Sequence, residues 1–339
     1  MLTLAIMGVI ALGLALLLIL RDQKGRERAF FDVESTNSLR GFWCIIILLV
    51  HVPADYQNTV QDLLGSFAYI GVSFFFMTSG YGLMLNMMKN PLGIRSGFWR
   101  KRLPKLLLPM LLANIITIAS DLIAGNGFKW WQIISITGFV RQLLLFYFIF
   151  WLVFRFVPDK LSLNSRSNII CLCVLVFSVT VYIWENQWLG WATESFGFIY
   201  GILFARYKDK FESFANSKWL LKVGVFCALS LALGLAYMKL KHIPVAGDYV
   251  TKILLGIFIL AFLLIFSARR TLSNFVSRAL GKISYEVYLI HAAVFVLLSA
   301  LPVKLDSGVF VLGSIVVTIL ISMLINVVGT KILAVFNKK

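Results

Sequence analysis

Apolar runs of about 20 residues alternate with short basic or polar breaks along the chain, the length that crosses a bilayer as a helix. They fall at 2–20, 41–56, 66–88, 104–124, 139–157, 168–185, 190–206, 218–238, 248–267, 282–300 and 308–330. Lipid cannot satisfy free backbone donors and acceptors, so such runs predict helices. The expected fold class is all-α: a polytopic transmembrane helix bundle of about 11 helices. No break is long enough for a separate soluble domain, so any site is built from helices and short loops. The chain has no internal repeat, no low-complexity tract and no glycine-rich phosphate fingerprint.

Composition agrees with this pattern. Of the 339 residues 60% are hydrophobic and 14% charged, and mean hydropathy is +0.89. A net charge of +17 raises nucleic acid as a partner, but its distribution argues against one. Most of the 32 lysines and arginines sit in alternate breaks. The positive-inside rule then places the N-terminus outside and the C-terminus in the cytoplasm, and the basic balance records topology and contact with an anionic bilayer. Residues 1–20 lack a basic leader and run into RDQKGRER, a stop-transfer pattern. They read as a retained extra transmembrane helix, followed by a charged cytoplasmic loop (21–38) and a membrane domain (39–339). Cys44, Cys171, Cys173 and Cys227 sit inside apolar runs and read as packing residues, with no disulfide framework or metal-ligand spacing.

Candidate chemistry begins with RGFWCIIILLVH at 40–51. Arg40 and His51 are eleven residues apart, close to three helical turns, so they share a face roughly 16 Å apart along the axis. Ionisable groups inside a span are costly and are functional candidates, and histidine moves protons near neutral pH. The bland reading is a topology arginine and a helix-end histidine. Asp55 either orients His51 or is a solvated loop acid. In KISYEVYLIHAAVF, Ser284, Tyr288 and His291 share a helix face, while Glu286 lies on another, towards a basic loop residue. His242 reads as a loop residue. In FWRKRLPKLLLP, Arg100, Arg102 and Lys105 form either a positive-inside collar or a phosphate cradle, with Pro104 in the first helical turn. Trp188 and Trp191 suit an interfacial belt or a sugar-stacking surface. Glu194 suits a helix start or an acceptor contact.

Four of these stretches, in this order, resemble the acyltransferase family 3 of integral membrane proteins. SLRGFWCIIILLVH is similar to the family's Arg-x10-His helix, and GVSFFFMTSGYGL to its Phe-Phe-x-x-Ser-Gly-aromatic segment. FWRKRLPKLLLP is similar to its basic R-x-x-R stretch, and LGKISYEVYLIHAAVF to its late Ser-Tyr-x-x-Tyr-Leu-x-His segment. The resemblance runs from about Asn37 to Val294. Lys105 stands where the family has a second arginine, and the family's middle Trp–Glu segment is missing from FVRQLLLFYFIFWL. The first helix looks like an addition to a core of about ten.

The resemblance implies an O-acyltransferase that moves an acyl group, acetyl above all, from cytoplasmic acyl-CoA to a hydroxyl of a cell-surface or lipid-linked saccharide. Acetyl-CoA is then the cosubstrate, with no metal. Arg40, Arg100, Arg102 and Lys105 would hold its nucleotide end, and the pantetheine arm would follow the Arg40–His51 stripe. His51 would act as general base or carry the acyl group, with His291 and Asp55 as catalytic partners. Ser284, Tyr288, Glu194 and Trp188 are candidates for the acceptor. The implied setting is a bacterial plasma membrane, with envelope-glycan synthesis proteins as possible partners. A transporter or flippase for a glycan is the alternative; it expects inverted repeats and midplane acids, and neither is evident in the sequence.

Overall fold

A computed structural model describes residues 1–19, 30–91, 97–158, 160–184, 190–270 and 272–337. The α-helices are α1 (Leu2–Ile19), α2 (Val33–Val50), α3 (Thr59–Gly65), α4 (Ala68–Lys89), α5 (Phe98–Ile123), α6 (Gly138–Phe156), α7 (Leu163–Ile183), α8 (Phe196–Arg206), α9 (Lys208–Asn216), α10 (Trp219–Leu240), α11 (Lys252–Ser267), α12 (Phe275–Lys282), α13 (Ser284–Ser299) and α14 (Ser307–Asn337). No strand occurs among the described residues. The chain is an all-helical polytopic bundle. Each of the eleven apolar runs coincides with helix, but not every one spans. Among the described residues, eight helices are long and apolar enough to cross a membrane, nine if the bent pair α12–α13 counts as one span. α8 has only eleven residues, about half the length a bilayer needs.

Boundaries differ where caps decide them. α2 begins at Val33, inside the expected loop, because the Asp32 side chain accepts from the Ser35 amide at 2.8 Å. Residues 21–29 of that loop lie outside the described residues. α2 ends at His51 rather than running to residue 56, and a short 3₁₀ turn, Ala54–Tyr56, follows Pro53. α5 starts at Phe98, so Pro104 and Pro109 are interior and remove two backbone donors.

Two helix crossings bring backbones into contact. At α4–α8, a Cβ on Gly197 or Gly201 would collide with the carbonyls of Ser73 and Met77. At α2–α12, a Cβ on Gly281 would strike the Asn37 carbonyl. Small residues permit this approach. Gly201→Val is therefore expected to lower stability by about 1–3 kcal/mol or more, read as a lower unfolding midpoint in detergent; an unchanged midpoint would refute the crossing.

α1 packs through Met7, Ile10 and Leu14. The Thr3 hydroxyl donates to Asp306 at 2.8 Å. This bond and that from the Gly308 amide hold the Asp306 carboxyl below its usual range. α12 meets α13 at a 71° bend. That bend puts Lys282 and Glu286 at the same end of the bundle as the start of α2.

Candidate active site

The end of α2 positions the first candidate. The His51 amide donates to the Leu48 carbonyl at 3.1 Å, and its Nδ1–H donates to the Ile47 carbonyl at 2.8 Å. A carbonyl only accepts, so this bond leaves the His51 Nε2 with its lone pair. The corner after α2 is built from side-chain caps. Gln61, 1% exposed, donates Nε2 to the Leu49 carbonyl, and Gln57 donates to that of Val52 at 3.1 Å. Asn58 and Gln61 form a reciprocal capping box for α3. Asn58 also donates to Ser307 Oγ at 2.9 Å, tying the corner to α14.

His291 on α13 meets His51 there. The ring centroids are 4.8 Å apart at an angle of 47°. His291 is buried, whereas His51 is exposed. The His291 Nδ1–H donates to the Val287 carbonyl at 3.3 Å. Both Nε2 atoms therefore keep a lone pair. Tyr288 flanks His291 at 5.8 Å.

Arg40 begins the same stripe of α2 at the opposite end and lines a cavity of about 950 Å³. Arg40, Lys89, Arg102, Lys105, Lys208 and Lys282 line it against two acids, Asp32 and Glu286. Among the described residues none of these six cations forms an ion pair with a carboxylate. Arg40 lies over the Phe75 ring at 5.2 Å, its Nε buried and without a hydrogen-bond partner. Arg102 lies over Phe98 at 4.2 Å. Glu286 Oε1 accepts from Asn326 at 2.9 Å, while its Oε2 is buried and unpartnered. A chamber with this excess of unpaired cations suits a polyanion.

A separate small void of about 10 Å³ lies beside the cavity, lined by Ile47, Val72, Phe75, Phe139, Tyr285 and Tyr288. Phe75, Phe139 and Tyr285 line both spaces. Arg40, Cys44, Ile47 and His51 thus form one α2 stripe that runs from the basic chamber, past the void, to the histidine pair.

Several sequence candidates fall elsewhere. Arg100 is exposed and does not line the cavity, because two positions along a helix turn it away from Arg102. Asp55 is exposed in the 3₁₀ turn and makes no hydrogen bond to His51. Ser284 is fully buried and donates to the Gly281 carbonyl at 2.8 Å, bracing the α12–α13 bend. Glu194 is 4% exposed, paired with Lys252 at 2.9 Å and accepting from Thr193. Trp188 lies outside the described residues. Trp191 is held by Gln142, which accepts from its amide at 2.9 Å and donates to its carbonyl at 3.0 Å. Gly82 lines the cavity, with open space where a Cβ would stand. Glu286 faces the cavity with Arg40 and bonds Asn326, not a basic loop residue. The sequence reading counted Lys89, Lys208 and Lys282 only as topology charges. A polar stripe on α4, Ser79–Gly82–Asn86–Lys89, was the available signal for that wall.

Because Glu194 and Lys252 satisfy one another, Glu194→Gln is expected to lower stability by about 1–3 kcal/mol. A lower unfolding midpoint with acceptor affinity unchanged is the expected pair of readings; a selective loss of acceptor affinity would contradict it.

Fold and site together define an integral membrane protein with a large basic chamber at one end of the α2 stripe and a pair of histidines at the other. A family model described as an acyltransferase domain matches residues 33–327. The chain belongs to the acyltransferase family 3 and is a membrane acyltransferase. No curated protein and no solved structure matches it.

Proposed function

We propose that the protein transfers an acyl group, acetyl by preference, from cytoplasmic acyl-CoA to a hydroxyl of a cell-surface or lipid-linked saccharide. The observation that carries this reading is the continuous α2 stripe from the basic chamber at Arg40 to the His51 Nε2 lone pair. The chamber offers the phosphates of CoA six cations without carboxylate partners among the described residues, and its positive charge supports a cytoplasmic side for it. The apolar side chains beyond the chamber, Ile47, Phe75 and Phe139 among them, suit a thin pantetheine arm that parts them on its way along α2. The exposed His51 leaves a route for an acceptor from the other side.

The chemistry then balances without a metal. The acceptor hydroxyl oxygen attacks the thioester carbonyl as His51 Nε2 takes the hydroxyl proton. The tetrahedral intermediate collapses, the C–S bond breaks, and the sulfur recovers that proton to leave as free thiol. His291, at ring-contact distance, positions His51 and offers a second Nε2 to the same proton. Arg40, Arg102 and Lys105 bind the donor, joined by Lys89, Lys208 and Lys282.

The test is surface-glycan acylation in a deletion strain. Loss of a saccharide ester, restored by the wild-type gene and not by a His51→Ala allele, is the expected result. Unaltered esters in the deletion strain would overturn the reading. Substrate uptake by liposomes carrying the protein without acyl-CoA would favour transport instead.

A further inference from the structure

We infer that Lys89, Lys208 and Lys282 form a separate phosphate subsite at the rim of the basic chamber, which takes the 3′-phosphate of CoA and selects CoA over carriers that lack this group. This rests on the reading of acyl-CoA as donor and adds which part of the donor is recognised, and where.

The order of the cations carries the inference. Lys89 is the last residue of α4, Lys208 the first of α9 and Lys282 the last of α12. Three helix ends from distant parts of the chain thus bring their lysines to one space. Arg40 lies further in. It stands seven residues beyond the start of α2, roughly 10 Å along the axis, and it covers Phe75, which also lines the void beyond. Arg40 is half-buried, whereas Lys89 and Lys282 are exposed. A donor whose arm follows α2 towards His51 has its pyrophosphate at Arg40. The ribose and its 3′-phosphate come next along the molecule and therefore fall towards the rim. The α4 wall from Ser79 through Gly82 and Asn86 to Lys89 is polar, and it is open at Gly82, where nothing stands within 4 Å of a Cβ. That leaves room for the ribose and base.

Charge points the same way. Six cations against two acids leave the chamber a surplus of four positive charges. The pyrophosphate bridge supplies roughly two negative charges, and a phosphomonoester adds about 1.5–2 near neutral pH. Without the monoester about half the surplus stays unmatched. The monoester also presents three acceptor oxygens, and three ammonium groups can meet it as point charges from separate sides. Neither acid competes for the lysines. Asp32 accepts from the Ser35 amide at the start of α2, and Glu286 accepts from Asn326. An acyl carrier protein brings the same pantetheine arm on a single phosphodiester and leaves the rim lysines unmatched.

The experiment measures the affinity of the purified full chain in detergent for CoA and for dephospho-CoA, which differ only in the 3′-phosphate. Wild type is expected to bind CoA about 10–100-fold more tightly, the worth of hydrogen bonds to a charged group. Lys89→Gln, Lys208→Gln and Lys282→Gln are each expected to narrow that ratio by about two- to fivefold. The triple variant brings it close to one, with affinity for dephospho-CoA near wild type. Arg40→Ala weakens both ligands alike and keeps the ratio. The single variants decide the matter should the triple variant not fold. Equal affinity for the two ligands in wild type, or lysine variants that lose affinity for both equally, would overturn the subsite and leave the donor reading intact. Failure of folded wild type to bind either ligand would overturn the donor reading and the subsite with it.

Discussion

Replacing His51 by alanine is expected to lower acyl transfer by about 10²–10⁴-fold, the range that a positioned general base contributes, and to leave acyl-CoA binding unchanged. The separation of the two effects follows from geometry. His51 stands at the far end of the stripe from the cations proposed to hold the donor. Its substitution removes the Nε2 lone pair without touching the basic chamber. The fold also tolerates the change, because Gln61 and Gln57 satisfy the end of the helix independently of the imidazole. The measurement is a paired assay, donor affinity by titration and free-thiol release with acceptor present. An acyl-enzyme trapped on His51 would assign the covalent route in place of direct transfer. Wild-type turnover in a folded His51→Ala protein would remove the histidine from the mechanism.

Arg102→Ala and Arg40→Ala each weaken acyl-CoA binding by about 10–100-fold, the worth of a lost charge-assisted hydrogen bond, with turnover at saturating donor less affected for Arg102 than for Arg40. Both arginines are half-buried and line the chamber, but Arg40 also belongs to the α2 stripe that ends at His51, whereas Arg102 shares a face of α5 with Lys105. Arg102→Lys is expected to recover only part of the loss, because an ammonium lacks the two-pronged guanidinium fork. Wild-type affinity should fall as ionic strength rises, since the attraction is between screened charges. Arg100→Ala serves as the contrast: Arg100 carries the same charge two positions away, outside the chamber, and its loss leaves affinity near wild type. Equal losses at Arg100 and Arg102 would show that general positive charge, not the chamber, attracts the donor.

How much of this was legible in the sequence depends on whether the relevant distance lies within one helix or between several. The eleven-residue spacing of Arg40 and His51 is a local property of α2, and helical period alone puts both on one face. The same holds for Tyr288 and His291 on α13. Ser284 follows that period too, yet the bend at Ile283 makes it the brace of a helix start. Arg100 and Asp55 stand apart from the chamber and the histidine pair for similar local reasons: one is turned off the cavity face, and the other sits beyond a helix that ends five residues before residue 56. The family likeness supplied order and class. It did not supply Lys89, Lys208 or Lys282, which reach one chamber only after α4, α9 and α12 converge. No spacing along the chain encodes that convergence. Glu194 suited a helix start, and its partner Lys252 is 58 residues away. The void beside Ile47 is a matter of ångströms between four helices, and no residue pattern announces it.

The most direct single test is a structure of the purified protein with bound acetyl-CoA. The account predicts the nucleotide phosphates against Arg40, Arg102 and Lys105, the pantetheine arm along α2, and the thioester carbonyl facing His51. A nucleotide bound outside the basic chamber, or a thioester turned away from the two histidines, would contradict it.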